Sequence, residues 1–203
     1  IDSTNDIMPE GVKASEKDIG EFKLNRKRAM AHGVTGISTT AAVIVGAVPI
    51  PFPDALILTP MEVAMVNAIA RIYGIKKNEE SNQFFNSIIE VGTVGAAAKA
   101  VINALKAIPG INLGASALNA IIAGSIVTAL GEGTIYVFEQ VYLGEKSFTD
   151  IDWLKKVMES ELSSQFIEKV KTIIEKVNQD TDKDTIAQII IDVFRGDSRV
   201  SNN

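Results

Sequence analysis

The sequence predicts an all-α protein built as a helical bundle, and three observations carry this prediction. Aromatic residues make up only 6% of the chain, while Ala, Ile, Val and Gly are plentiful, which is typical of closely packed helices. Two long stretches, 29–53 and 107–131, contain no Asp, Glu, Lys or Arg. Each contains proline, which ends a helix, so each is expected to form a helix, a turn and a helix. The chain beyond residue 146 is amphipathic at helical spacing. The predicted architecture is therefore two apolar αα-hairpins plus C-terminal amphipathic helices.

The first hairpin is predicted to consist of one helix over about 15–47 and a second helix over about 55–73. Three prolines separate the two helices, because each proline lacks an amide donor and restricts the residue before it. These prolines are Pro49, Pro51 and Pro53.

The second hairpin is predicted from a helix over about 82–107 and another over about 114–143, with Pro109 between them. Gly131 and Gly133 lie inside the latter helix, where they are expected to bend or divide it.

The two hairpins resemble each other at an offset of about sixty residues. The first contains GVTG at 33–36 and RIY at 71–73, and the second contains GTVG at 92–95 and TIY at 134–136. One interpretation is an internal duplication. The other is coincidence among helices rich in small residues, because a single repeated pair is weak evidence.

The chain is expected to divide into three parts. Residues 1–14 are polar and aperiodic and are interpreted as a flexible linker. Residues 15–145 form the double-hairpin domain, and residues 146–203 form an amphipathic tail that packs on it. Within the tail, helices are expected over 147–179 and 184–195.

Composition limits the function classes. The net charge is −5, so nucleic-acid binding driven by overall charge is not expected. Cysteine is absent, which excludes thiolate chemistry and disulfides. The expected location is cytoplasmic, with peripheral attachment to a membrane left open. Because the chain starts at Ile1 without a recognisable leader, it is expected to begin partway into a longer product.

No motif predicts catalysis, a cofactor or a metal site. Residues 144–147 read GEKS and lack the Gly-Lys pair of a phosphate-binding loop. Asp180, Asp182 and Asp184 resemble the start of a calcium loop, but its required Gly and Glu are missing, so these residues are interpreted as helix caps. His32 is the only histidine and is expected to lie at a helix interface. The chain is predicted to be non-enzymatic, with no catalytic residues and no cofactor.

A compact basic cluster precedes the first charge-free run. Beside so apolar a hairpin, such a cluster suits anionic lipid headgroups or an acidic partner surface. Asp54 is expected to cap the second helix or to face a partner. The residues predicted to contact a membrane or a partner are Arg26, Lys27, Arg28, Pro49, Pro51, Pro53 and Asp54.

Glu62 and Lys99 are isolated charges on otherwise apolar helices. A buried charge is costly unless it is paired, so these two residues are predicted to form a structural ion pair that fixes helix register. Lys106 and Arg71 are alternative partners for Glu62, and a functional site is the alternative interpretation.

These features together resemble the uncharacterised domain family DUF697. The resemblance covers about residues 24–145 and is carried by PIPFPD at 49–54, RIYGI at 71–75, IPG at 108–110 and TIYVFEQVY at 134–142. Domains of that family often follow an Era-like GTPase domain, and some members are membrane-associated. The resemblance therefore implies a GTPase domain as a partner, upstream in the same protein or as a separate chain.

The function expected is a non-enzymatic effector or anchoring module of a GTPase-type protein, which mediates membrane or protein association. Two alternatives are a membrane-inserting or pore-forming bundle and a soluble domain that binds a ligand or acts as an enzyme. Association into a homo-oligomer is left open.

Overall fold

The computed structural model describes residues 10–48, 55–92, 113–161 and 164–196, and most of these residues are helical. The packed helices confirm the predicted all-α bundle. The helices are α1 (Glu10–Gly46), α2 (Ala55–Tyr73), α3 (Glu79–Gly92), α4 (Ala115–Tyr142), α5 (Ile151–Glu161), α6 (Ser164–Lys176) and α7 (Lys183–Gly196).

Helix α4 is the centre of the bundle and contacts all six of the other described helices. Every residue from Ala120 to Gly131 is buried, which means that α4 is covered on all sides over three turns. A helix that is apolar all round requires such an environment, because it has no polar face to turn toward water.

Helices α1 and α4 pack antiparallel along most of their length. Thr39 lies beside Thr128, with 2.7 Å between their hydroxyl oxygens, and Ser116 at the start of α4 donates to the carbonyl of Ala47 at the end of α1. Close approach depends on small residues. A Cβ added to Gly131 would lie 2.5 Å from Cγ2 of Thr35, which is shorter than atoms tolerate.

Helix α2 returns along α1, so that it runs parallel to α4. Its last turn lies beside the middle of α1, where the ammonium group of Lys27 donates to the carbonyl of Ile72. Gly74 ends the helix with φ of +78°, a conformation that glycine adopts without steric cost. The amide of Ile75 then donates to the carbonyl of Ala70.

An aromatic cluster joins α3 to α4 and to the connection after it. The ring centroids of Phe85 and Phe138 are 5.3 Å apart, and those of Phe84 and Phe148 are 5.5 Å apart in an edge-to-face arrangement. Helix α5 packs on both α3 and α4 and extends this side of the core.

The tail helices close the other side of the bundle. Helix α7 packs against α1, α4 and α6. Its residue Ile190 packs so closely on Gly124 of α4 that a Cβ added to this glycine would lie 2.8 Å from Cδ1 of Ile190. Asp182 caps α7, because its carboxylate accepts from the Thr185 amide at 2.9 Å and from the Thr185 hydroxyl at 2.6 Å. Asp182 therefore serves as a helix cap, as predicted.

Several helix boundaries differ from the prediction. Helix α1 begins at Glu10 rather than near residue 15, because Glu, Lys and Ala at 10–17 favour helix. The predicted tail helix 147–179 is two helices, α5 and α6. Helix α4 continues through Gly131 and Gly133, so it is not divided there. Residues 93–112, which contain much of the second predicted repeat, lie outside the described residues.

Candidate docking surface

The outer face of α1, opposite α4, is exposed and apolar. Met30, Ile37 and Ile44 have 52%, 75% and 46% of their surfaces exposed. Their spacing of seven residues places them on one face, two turns apart. Exposed apolar residues in a row differ from the scattered ones that every protein carries, and such rows mark interaction sites.

This outer face extends toward both ends of α1. Phe22 and Ile19 are exposed on the N-terminal side and Val48 on the C-terminal side. Two described helices, α1 from Asp18 onward and α4, are long and apolar enough to cross a membrane by length and composition alone. The apolar window of α4 is 83% buried inside the bundle, whereas that of α1 is 33% buried. Burial in the bundle thus explains why α4 is so apolar, whereas much of the apolar surface of α1 remains exposed.

The basic cluster at 26–28 divides between the surface and the interior. Arg26 is exposed, whereas Lys27 and Arg28 are partly buried. Besides donating to α2, the Lys27 ammonium lies 4.9 Å from the centre of the Tyr142 ring, a cation–π contact. Of the three predicted contact residues in this cluster, Arg26 is the one that points away from the bundle.

Arg28 forms the main ionic connection between α1 and α4. Its guanidinium donates two hydrogen bonds to the Glu139 carboxylate, and Nε lies 2.6 Å from Oε2. The hydrogen bond that Arg28 donates to the Glu139 carboxylate raises the pKa of Arg28. The Tyr73 hydroxyl lies 3.4 Å from the same carboxylate, and burial raises the pKa of Tyr73. These groups connect α1, α2 and α4 at one end of the bundle.

A second polar cluster connects α7 to the same two long helices. Nδ1 of His32 lies 3.1 Å from Oε1 of Glu132, and Nε of Arg195 lies 3.4 Å from that oxygen. Arg195 also donates to the backbone carbonyl of His32. His32 therefore lies at a helix interface, where the sequence placed it, and the cluster fixes the position of the tail.

Glu62 is a buried carboxyl on α2. Its exposure is 0%, and neither oxygen has a hydrogen-bond partner among the described residues. Burial raises its pKa to about 7.

Other predicted site residues lie outside the described residues. Lys99, the proposed partner of Glu62, is among them, so that ion pair stays a prediction. The turn residues Pro49, Pro51, Pro53 and Asp54 are also outside, and their predicted contact role stays a prediction too.

Comparison with protein families identifies the domain. The family model for DUF697, a domain of unknown function, matches residues 19–162, well over half of the chain. The chain belongs to the DUF697 family. The resemblance inferred from the proline turn and the RIYGI segment is thereby confirmed. Neither the curated proteins nor the solved structures contain a match.

The DUF697 match covers the exposed face of α1 and most of the core. It extends from α1 through α5, whereas α6 and α7 lie beyond it and nevertheless pack on α4. The sequence indicated that α1 is apolar, but it did not indicate which side α4 would cover. The signal that could have identified the outer face is the heptad spacing of Met30, Ile37 and Ile44.

Proposed function

We propose that this DUF697 chain is a helical association module of a GTPase-type protein, and that its working surface is the outer face of α1. In this proposal the module binds a GTPase domain, on the same polypeptide or on another, and has no catalytic step of its own. The observation that carries the proposal is the row of exposed apolar residues on α1.

The apolar row supports docking because a partner that covers it removes apolar surface from water, which stabilises the complex. Each exposed Ile or Met that a partner covers contributes roughly 1–2 kcal/mol from its apolar surface. The rest of the described bundle places its large apolar side chains mostly inside, as Phe84, Phe138 and Phe194 illustrate. The outer face of α1 is therefore the place where a partner gains most by covering the protein.

The two ionic clusters support a structural rather than a chemical role for the conspicuous charges. Arg28 forms an ion pair with Glu139, and the Glu132 carboxylate contacts both His32 and Arg195. Each cluster joins helices that are far apart in sequence. Their charges stabilise the surface that carries α1 rather than forming a reaction centre.

An anionic membrane surface is a second candidate partner, and the distribution of charge favours it. Residues 23–78 contain seven Lys or Arg and two Asp or Glu, although the chain as a whole has net charge −5. Of the two acidic residues, Glu62 is buried. The segment from the middle of α1 to the connection after α2 is thus basic within an acidic protein, which favours attraction to anionic lipid.

The test replaces two side chains of the row, Ile37→Ser with Ile44→Ser, and measures binding by calorimetry to a GTPase domain loaded with GDP or with a non-hydrolysable GTP analogue. Because both side chains are exposed, the variant should fold normally while its affinity falls by at least about tenfold, the equivalent of 1.4 kcal/mol. Leu143→Ser, which removes a side chain that is 48% exposed at another site, is the matched control and should bind as the unmodified chain does.

Flotation with vesicles of phosphatidylcholine, with and without phosphatidylserine, separates the two partners. Binding that requires phosphatidylserine and is lost in the double variant would assign the outer face to a membrane instead of a protein. A double variant that binds the GTPase domain as tightly as the unmodified chain would refute the proposed docking role of α1.

A further inference from the structure

Gly33 has no role in the internal packing of the described bundle. It lies inside α1 on the exposed side, and a Cβ added to it would meet nothing within 4 Å. Glycine in a helix interior costs about 1 kcal/mol relative to alanine. Gly131, in contrast, is required because Thr35 occupies the space above it. A glycine that relieves no internal crowding leaves a depression on the exposed face, which is open to a side chain from outside the chain.

The residues around Gly33 alternate between large and small along the outer face. Met30, Ile37 and Ile44 are large and exposed, and Gly33 and Thr40 lie between them at spacings of three and four residues. This is the spacing of a coiled-coil seam, in which a large side chain from one helix enters a depression on the other.

We propose that the outer face of α1 pairs with α1 of a second copy of this chain, antiparallel and about a two-fold axis, so that Ile37 of each copy enters the depression over Gly33 of the other. The interface is self-complementary, as two-fold symmetry requires, since each copy supplies one protruding side chain and one depression.

Antiparallel pairing follows from the order of side-chain sizes. In a parallel pair Gly33 would face Gly33, Ile37 would face Ile37, and successive layers would be alternately empty and crowded. Arg26 would also face Arg26, which is repulsive. In the antiparallel pair large residues face small ones in the four central layers, which allows even packing there, and Ile44 in the layer at each end faces Arg26.

The register that pairs Ile37 with Gly33 also places the remaining row in contact. Met30 then lies opposite Thr40, and Phe22 lies opposite Val48, both of which are exposed and apolar in the single chain. Ile44 lies opposite Arg26, whose aliphatic stem can cover it while the guanidinium stays in water. The two Arg26 side chains do not repel each other in this arrangement, because they lie far apart near opposite ends of the pair.

The available area is adequate for a specific dimer. The six large apolar residues of this face, five on α1 and Val48 just beyond its end, are between 46% and 75% exposed, and residues of this size present roughly 150–250 Å² each when open. They offer on the order of 600 Å² per copy, to which flanking residues add, against about 800 Å² per partner in a specific interface of standard size. The six residues are Ile19, Phe22, Met30, Ile37, Ile44 and Val48.

This dimer goes beyond the proposed docking function. It depends on the side-chain pattern of α1 and holds whether or not a GTPase domain binds. Where both occur, self-pairing covers the docking face, so the two associations compete.

The first test is sedimentation equilibrium of the unmodified chain and of Gly33→Leu across a range of concentrations. Leu favours helix and has open space at this position, so the single copy should remain folded with an undiminished thermal midpoint at low concentration. By filling the depression it should weaken dimerisation by at least about tenfold. A chain that stays monomeric at high concentration, or a dimer that tolerates Gly33→Leu, overturns the proposal.

The second test uses the absence of native cysteine, which makes disulfide cross-linking specific. A mixture of Gly33→Cys and Ile37→Cys should give a cross-linked pair on mild oxidation in higher yield than Lys156→Cys, an exposed control on α5. Efficient linking of Ile44→Cys to itself would instead show parallel pairing and refute the proposed arrangement. Loss of GTPase binding alone would leave the dimer standing, so the two proposals fail separately.

Discussion

At the scale of single residues, the feature with the clearest consequence is the buried carboxyl of Glu62. Burial raises its pKa from 4.5 to about 7, because the charged form loses its hydration and has no hydrogen-bond partner among the described residues. The folded state therefore holds this proton more tightly than the unfolded state. Stability from this group is fully present below about pH 4.5 and is lost as the pH rises through about 7.

We predict that Glu62→Gln removes this pH dependence. The shift corresponds to at most about 3 kcal/mol in the free energy of unfolding, so between pH 4.5 and pH 8 the unmodified chain should lose up to that amount relative to the variant. Urea unfolding at the two pH values measures the difference. Glu168→Gln, which alters an exposed carboxylate, is the control and should follow the unmodified chain. Parallel pH profiles for Glu62→Gln and the unmodified chain would contradict a raised pKa at this site.

At the scale of helices, the sequence predicted some features well and others not at all. The range of α2 was predicted to the residue, because prolines precede it and a glycine suited to positive φ follows it. The glycines at 131 and 133 were expected to bend or divide α4, but the helix is not divided there, and Gly131 serves close approach to Thr35. The contact of Arg28 with Glu139, 111 residues apart, has no local signal from which it could be predicted.

The docking surface illustrates the same limit. Between residues 29 and 48 the chain is charge-free on every side, so hydropathy alone cannot separate the buried face of α1 from the exposed one. The distinction depends on where α4 and α7 pack, which is set by contacts distant in sequence. A heptad pattern was present in the outer row, but it is meaningful only once the opposite side is known to be covered.

A prediction at this scale concerns the contact between α1 and α4. Gly131→Ala should destabilise the protein by about 1–3 kcal/mol, because the new methyl group would collide with Thr35 and force the helices apart. Gly20→Ala, on the open side of α1, should be neutral or stabilising by up to about 1 kcal/mol. Chemical unfolding of both variants measures the contrast. Equal effects would mean that the two helices are not in close contact at Gly131.

At the scale of the whole molecule, the tail helices α6 and α7 are part of the core although they lie beyond the matched family segment. Phe194 is 2% exposed and packs 5.8 Å from Phe166, and Arg195 joins α7 to α1 and α4. The tail and the two long helices should therefore unfold as one unit.

Phe194→Ala tests this coupling, with an expected loss of about 3–5 kcal/mol in the free energy of unfolding. Gln188→Ala, at an exposed position on the same helix, is the matched control and should change stability by less than about 0.5 kcal/mol. The loss should appear as a shifted single transition, followed by circular dichroism and by Trp153 fluorescence. A second, separate transition in Phe194→Ala would show that α7 is an independent appendage.

The central position of α4 has a consequence for how sequences of this kind can diverge. A substitution between Ala120 and Gly131 changes the fit to several neighbouring helices at once, since no side chain there reaches solvent. Drift in that stretch requires simultaneous compensation elsewhere, whereas the outer row of α1 could accept polar residues freely if nothing ever bound it. Apolar character retained along that row in distant relatives would therefore record selection by a partner, and its loss would record the partner's absence.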